Sequence, residues 1–177
     1  MKGQKPLMSS NKQDWGTPQA FIWWLEHRYQ FKFDLDVCAH SGNNKVPAFF
    51  TVDDDCLTTD WFGRHVWMNP PFGRELPKFI DRALEQVKIN KGKMNCWVLV
   101  PARTCTKWAH KLFNSKELVK VIFFKGRFNF DFERNIAGSN APFPSMLIQI
   151  RGFESPTQRR EPKISFVEIP KEARGFK

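Results

Sequence analysis

Four consecutive residues, Asn69-Pro70-Pro71-Phe72, combine groups suited to one kind of chemistry. The asparagine contributes a side-chain carbonyl acceptor. The two prolines fix φ and remove two backbone donors, so the segment offers rigid carbonyls only. Phe72 adds a flat apolar face. An acceptor fork beside a stacking surface suits the exocyclic amine of a planar base, or an amide. Accepting both hydrogens of such an amine draws its nitrogen from planar toward tetrahedral and exposes a lone pair to an electrophile. Positioning and electrostatics then supply most of the catalysis, without a strong general base. Alone, the tetrapeptide also reads as a rigid turn. Its position favours chemistry: it follows RHVWM (64–68), a strand-like stretch, and ligands of α/β sheets bind at the carboxyl ends of strands.

The elements around the tetrapeptide can be read from pattern. Thr17 and Pro18 read as the N-cap and first position of a helix through QAFIWWLEHR. Alternation over Phe31–Ala39 predicts a strand, and 48–52 a short one. Leu76–Ile89 carries an apolar face (Phe79, Ile80, Ala83, Leu84, Val87) between Pro77 and Gly92, which predicts a helix. A buried strand follows at Cys96–Val100, then a basic helix around Thr104–Asn114, and strands at Leu118–Phe124, Ser145–Arg151 and Ile164–Ile169. Strands alternating with helices imply an α/β protein with a mostly parallel sheet covered on both faces. With 177 residues and no linker, a single domain over 1–177 is expected, residues 1–13 being flexible.

The chain carries 28 Lys and Arg against 18 Asp and Glu, a net charge of +10. That excess points to an anionic partner, nucleic acid foremost. The charge is uneven. Residues 31–60 hold six aspartates (34, 36, 53, 54, 55, 60), whereas 101–130 hold seven Lys and Arg against Glu117. The aspartates suit a positively charged, hydroxyl-bearing ligand, or Mg²⁺ in a nuclease. Three adjacent aspartates cannot all face one ion from regular backbone, so no metal is expected. The four cysteines show no paired metal spacing and read as reduced thiols. No apolar run approaches the ~20 residues of a membrane span, and the first residues lack the apolar core of a signal peptide. A cytoplasmic location follows as an expectation.

Taken in order, Thr17-Pro18, Asp36-Val37-Cys38-Ala39, AFFTVDDDCLTTDW, VWMNPPFGRE, PARTCTKW, FFKGRFNF and APFPS resemble the small phage-type (Dam-like) DNA N6-adenine methyltransferases, over roughly residues 14–151. The resemblance implies a Rossmann-like methyltransferase sheet, mostly parallel with an antiparallel edge strand. Only 33 residues separate Asp36 from Asn69, so the sheet should be shortened between the cofactor motif and the NPPF motif. It implies S-adenosylmethionine as cofactor, S-adenosylhomocysteine as product, and DNA as partner of a monomer or weak homodimer. Asn69, Pro70, Pro71 and Phe72 would be catalytic, the flipped adenine stacking on Phe72. Thr17, Pro18, Asp36, Cys38, Ala39 and Asp55 would hold the cofactor. Asp36 could orient its ammonium or brace the loop, and its ribose-binding acid stays open among Asp53, Asp54 and Asp55. The loop lacks the usual glycines, offering Cys38-Ala39-His40-Ser41-Gly42 instead.

Beside that motif the basic segment gains a role. Arg103, Lys107, Trp108, Lys125 and Arg127 follow strand ends and suit phosphate contacts, while Trp108, Phe128 or Phe130 could wedge into the gap of a flipped base or simply pack in the core. RNA adenine, protein glutamine, or a DNA-binding module with a decayed cofactor pocket are the rival readings. Specificity would have to reside in loops around 126–144 and the tail after 151.

Overall fold

The computed structural model describes residues 15–130, 141–158 and 161–175. The segment expected to be flexible, 1–13, and the middle of the 126–144 loop lie outside them. The elements are α1 (Gln19–Tyr29), β1 (Leu35–Asp36), β2 (His65–Met68), α2 (Leu76–Ile89), β3 (Asn95–Pro101), α3 (Lys107–Phe113), β4 (Leu118–Lys125), β5 (Ser145–Arg151) and β6 (Lys163–Glu168). The six strands form one sheet in the order β1-β2-β3-β5-β4-β6. β5 pairs antiparallel with both β3 and β4, while β1–β2, β2–β3 and β4–β6 pair parallel. The sheet is thus mixed and mostly parallel. Its one reversed strand lies inside, not at the edge as expected, and the edge strand β6 runs with β4.

Side-chain alternation sorts the core onto two faces. Val66, Met68, Cys96, Val98 and Val100 pack under α2 and α3 with Ile80, Ala83, Val87, Ala109 and Leu112. Trp67, Trp97, Leu99 and Leu147 pack with Phe21, Ile22 and Leu25 of α1. Both helical layers therefore hold the strand ends at fixed heights.

β1 is only two residues long, much shorter than the alternation over Phe31–Ala39 suggests. Aspartate side chains take over the backbone bonds at both of its ends. Asp34 accepts from the amides of Arg64 (2.7 Å) and His65 (2.8 Å), and Asp36 accepts from those of Cys38 (3.2 Å) and Lys45 (3.1 Å). Between β1 and β2 the chain forms turns and no helix. Within this interval Ala48–Phe50 lies against the outer side of β1, where Asp36 pairs parallel with Phe49. The Asp36 amide donates to Ala48 at 3.1 Å, and the Phe50 amide to Asp36 at 2.8 Å. The chain thus leaves β1 toward one side and returns as β2 on the other, which makes β1 the switch point where an open α/β sheet forms its crevice.

Candidate active site

A cleft of about 520 Å³ opens at that point. The loop after β1 (Val37 to Asn43), the Asp-rich loop (Asp53, Asp55) and the segment after β2 (Asn69, Pro71) supply its walls, with Trp15 closing one side. Asp36 lies beneath the first loop. It is 2 % exposed, does not line the cleft, and spends its oxygens on the Cys38 and Lys45 amides. Burial pushes its carboxyl up to about 6, against the pull of those two hydrogen bonds and of the Lys45 charge. Of the two roles open to Asp36, bracing is the one its contacts fit.

The three adjacent aspartates separate clearly. Asp54 turns onto Thr51, accepting from its amide (2.7 Å) and hydroxyl (2.9 Å), and these bonds hold its carboxyl below the usual range. Asp55, at φ +45°, accepts from the Leu57 amide (3.1 Å) and the Thr58 hydroxyl (3.0 Å) while lining the cleft. Asp53 also lines the cleft, and among the described residues its carboxylate has no hydrogen-bond or ion-pair partner. Asp60 anchors the loop instead. It meets Arg82 of α2 at 3.1 Å, whose guanidinium also takes the carbonyls of Thr58 (3.2 Å) and Thr59 (2.8 Å). Among the described residues no three metal-ligating side chains come together.

Asn69 stands at the cleft's lip, at the end of β2. Its Nδ2 donates a close hydrogen bond to the Trp15 carbonyl, which can only accept, so Oδ1 is the atom left free. That Oδ1 is buried and, among the described residues, has no partner. An unpaired buried acceptor costs about 1–3 kcal/mol, so this atom is open to a donor. Pro71 lines the cleft beside it and Pro70 is buried. Phe72 stands behind the fork, its ring edge-on to Phe143 (5.6 Å) and Phe130 (6.1 Å). Trp15 joins the same aromatic group, 5.1 Å from Phe143. Phe72 is 7 % exposed, so a stacked base would meet its face only after these edges part. Trp15 escaped the sequence reading altogether, since nothing in spacing ties it to a residue 54 positions away.

Cys38 and Ala39 line the cleft, Cys38 with its thiol beside Cys56. Thr17 and Pro18 do not line it. Thr17 is not the cap of α1, which Pro18 precedes, and among the described residues its buried Oγ1 has no partner. On the same carboxyl edge, Arg103 is half-buried with Nε unpaired among the described residues, and Lys107 is exposed at the start of α3. Arg127 is exposed and donates to the Ala141 carbonyl at 3.1 Å; Lys125 pairs with Glu168 at 3.4 Å. Trp108 is a correction to the expected DNA contacts. It is 8 % exposed and packed in the core of the α2–α3 face, because α3 turns that side of its first turn onto the sheet. Phe128 and Phe130 are likewise buried, in the aromatic group on the α1 face.

The fold and site thus define an α/β protein with a switch-point cleft, an acidic wall, and a buried asparagine acceptor at a strand end. Residues 4–173 match the family model described as DNA N-6-adenine-methyltransferase (Dam), and the chain belongs to that family. It is 38% identical over 113 residues to the DNA N-6-adenine-methyltransferase of Haemophilus phage HP1 (strain HP1c1), a match covering 63% of this chain and 64% of that protein. It is also 38% identical over 96 residues to the DNA N-6-adenine-methyltransferase of Escherichia phage T1, covering 53% of this chain and 38% of that protein. The matched stretches therefore span less than two-thirds of either relative. No helix among the described residues is long and apolar enough to cross a membrane.

Proposed function

We propose that this chain transfers a methyl group from S-adenosylmethionine to the N6 amine of an adenine in DNA, on a Rossmann-like methyltransferase sheet shortened between Asp36 and Asn69. The observation that carries this is Asn69 Oδ1, buried, unpaired and oriented by the Trp15 carbonyl at the lip of the cleft. Family membership and the two relatives support the amine as adenine N6. The residues present suit the cofactor. Among the described residues Asp53 has a free carboxylate for a ribose hydroxyl pair, and Cys38 and Ala39 are small enough for close approach. When bound, the cofactor supplies an electrophilic methyl on a sulfonium.

The protein's part is placement. Asn69 Oδ1 and the Pro70 carbonyl accept the two amine hydrogens, which turns the nitrogen lone pair out of the ring plane. The target base leaves the duplex to reach them, with Phe72 and the aromatic group behind it as its stacking surface. Arg103, Lys107, Lys125 and Arg127 take the phosphates on either side.

Methyl-labelled S-adenosylmethionine and mixed-sequence DNA test this, followed by nucleoside mapping. The expected product is N6-methyladenine. Asn69→Ala should lower turnover 10²–10³-fold, the cost of one well-placed electrostatic contact, while cofactor still raises its melting temperature. Label on RNA or protein alone would overturn the substrate, and a variant keeping a tenth of the activity would overturn the role of Asn69.

A further inference from the structure

At the opposite edge of the sheet, where β3, β4 and β6 begin and β5 ends, a second groove of about 510 Å³ lies just past the end of α1. α1 stops with Tyr29 over Trp97, their rings 5.1 Å apart, and contributes nothing to the groove's lining. Cross-strand register explains its floor. Gln149 is paired with both Trp97 and Lys120, and Lys120 with Lys163, so these residues form one row on one face. Asn95 and Arg151 form the next row, and Gln149 Nε2 donates to Asn95 Oδ1 at 3.2 Å.

Two lysines directly opposite each other on neighbouring strands cost stability. No carboxylate among the described residues offsets that cost. Among the described residues neither Lys120, Lys163 nor Arg151 has a carboxylate within ion-pair distance. Lys120 Nζ instead sits 4.4 Å from the centre of the Tyr29 ring, and Arg151 Nε donates to the Gly92 carbonyl at 3.1 Å. Glu161, on the rim, is the one acid in the lining.

We propose that this groove is a binding site for a phosphate oxyanion, held between Lys120 and Lys163 with Arg151 at its end. Thr157 and Gln149 add neutral donors. The seven residues of β3 separate it from the methyl-transfer cleft by about 20 Å, so one phosphate cannot serve both places. The inference stands whether or not the chain methylates DNA. The oxyanion is carried either by a free nucleotide or by a nucleic-acid backbone, and the two sources differ in what competes.

Lys120 supplies a local reporter. Burial, then the nearby charges of Lys163 and Arg28, push its ammonium below the ordinary lysine value. The groups facing it are Arg28 and Tyr29 from α1, Lys163 from β6, Arg151 and Gln149 from β5, Asn95 from β3, and Glu161 on the rim. An anion between the lysines must raise the Lys120 titration midpoint. The experiment is a pH titration of the lysine Cε resonances of the ¹³C-labelled chain, alone, with inorganic pyrophosphate, and with a short single-stranded oligonucleotide. Lys120→Gln assigns the signal. The expected result is an upward shift of the Lys120 midpoint by half a unit or more with at least one probe. Binding of that probe should weaken at least tenfold in Lys120→Gln/Lys163→Gln and recover in Lys120→Arg. Pyrophosphate binding that the oligonucleotide does not displace identifies a nucleotide site, and the oligonucleotide alone shifting Lys120 identifies backbone contact. If neither probe moves Lys120, or the folded double variant binds as wild type does, the lysines serve only the end of α1 and the proposal is wrong.

Discussion

Asp36 joins the sheet to the cleft by a single carboxylate, and its environment gives it a pH signature. Its carboxyl is pushed from 3.8 to about 6 by burial. Below about pH 4 the group is protonated in folded and unfolded chains alike and costs nothing. Between about 4 and 6 the unfolded chain releases the proton while the native chain holds it. Stability therefore falls as pH rises through that window and stays lower above it, by on the order of 3 kcal/mol. Asp36→Asn has no proton to lose and keeps one acceptor for two amides. Its stability relative to wild type should move in its favour as pH rises from 4 to 6, then run level. Urea unfolding of both proteins at a series of pH values measures this, and parallel curves would mean the carboxylate is not desolvated. The sequence showed an aspartate at the end of a strand but not whether it faced ligand or backbone, because burial and an amide partner nine residues away leave no trace in spacing. Asn69 was legible for the opposite reason. Its place at the end of β2 is local, set by two prolines and the strand before it, whereas the Trp15 carbonyl that aims it was not.

Elements whose own pattern decides them were read from sequence with their ends intact. α2 begins at Leu76 beside Pro77 and stops at Ile89, and β5 spans Ser145–Arg151, because apolar periodicity and burial coincide there. β1 was overread because alternation persists where the aspartates divert the ladder, and α3 starts at Lys107, not Thr104, because Thr106 Oγ1 bonds the Arg103 carbonyl in a preceding turn. The interior place of β5 was hidden too, since strand order depends on which neighbours pair and not on any one strand's sequence. The exit from β5 tests how tightly these layers meet. A Cβ added at Gly152 would lie 1.9 Å from the Val87 carbonyl oxygen near the end of α2. No side-chain rotation relieves a clash with backbone, so Gly152→Ala should destabilise by about 1–3 kcal/mol as α2 and β5 are pushed apart. A lowered urea midpoint with an unchanged slope is expected, and an unchanged midpoint would show that the α2–β5 packing yields freely.

Across the whole molecule, the parallel strands deliver one kind of charge to each part of the carboxyl edge. The β1 end presents Asp53 and Asp55, and the β3 and β4 ends present Arg103, Lys107, Lys125 and Arg127. Under the proposed function, this division of the net +10 would let a cationic cofactor and an anionic strand each meet an opposite field, with Asn69, just after β2, between them. If the basic side lies on phosphates, Arg103→Ala, Lys107→Ala and Arg127→Ala should each weaken DNA binding on every sequence alike. Each should also flatten the plot of log affinity against log salt by about one counterion, since one released ion accompanies each neutralised phosphate. Lys125→Ala should do less, because Glu168 already lies 3.4 Å from its ammonium and must give it up first. Fluorescence anisotropy with one labelled duplex between 50 and 200 mM salt separates the four, a range wide enough to resolve single contacts. Three unchanged slopes would make the 101–130 segment a solvated face, and the proposed phosphate contacts would be wrong.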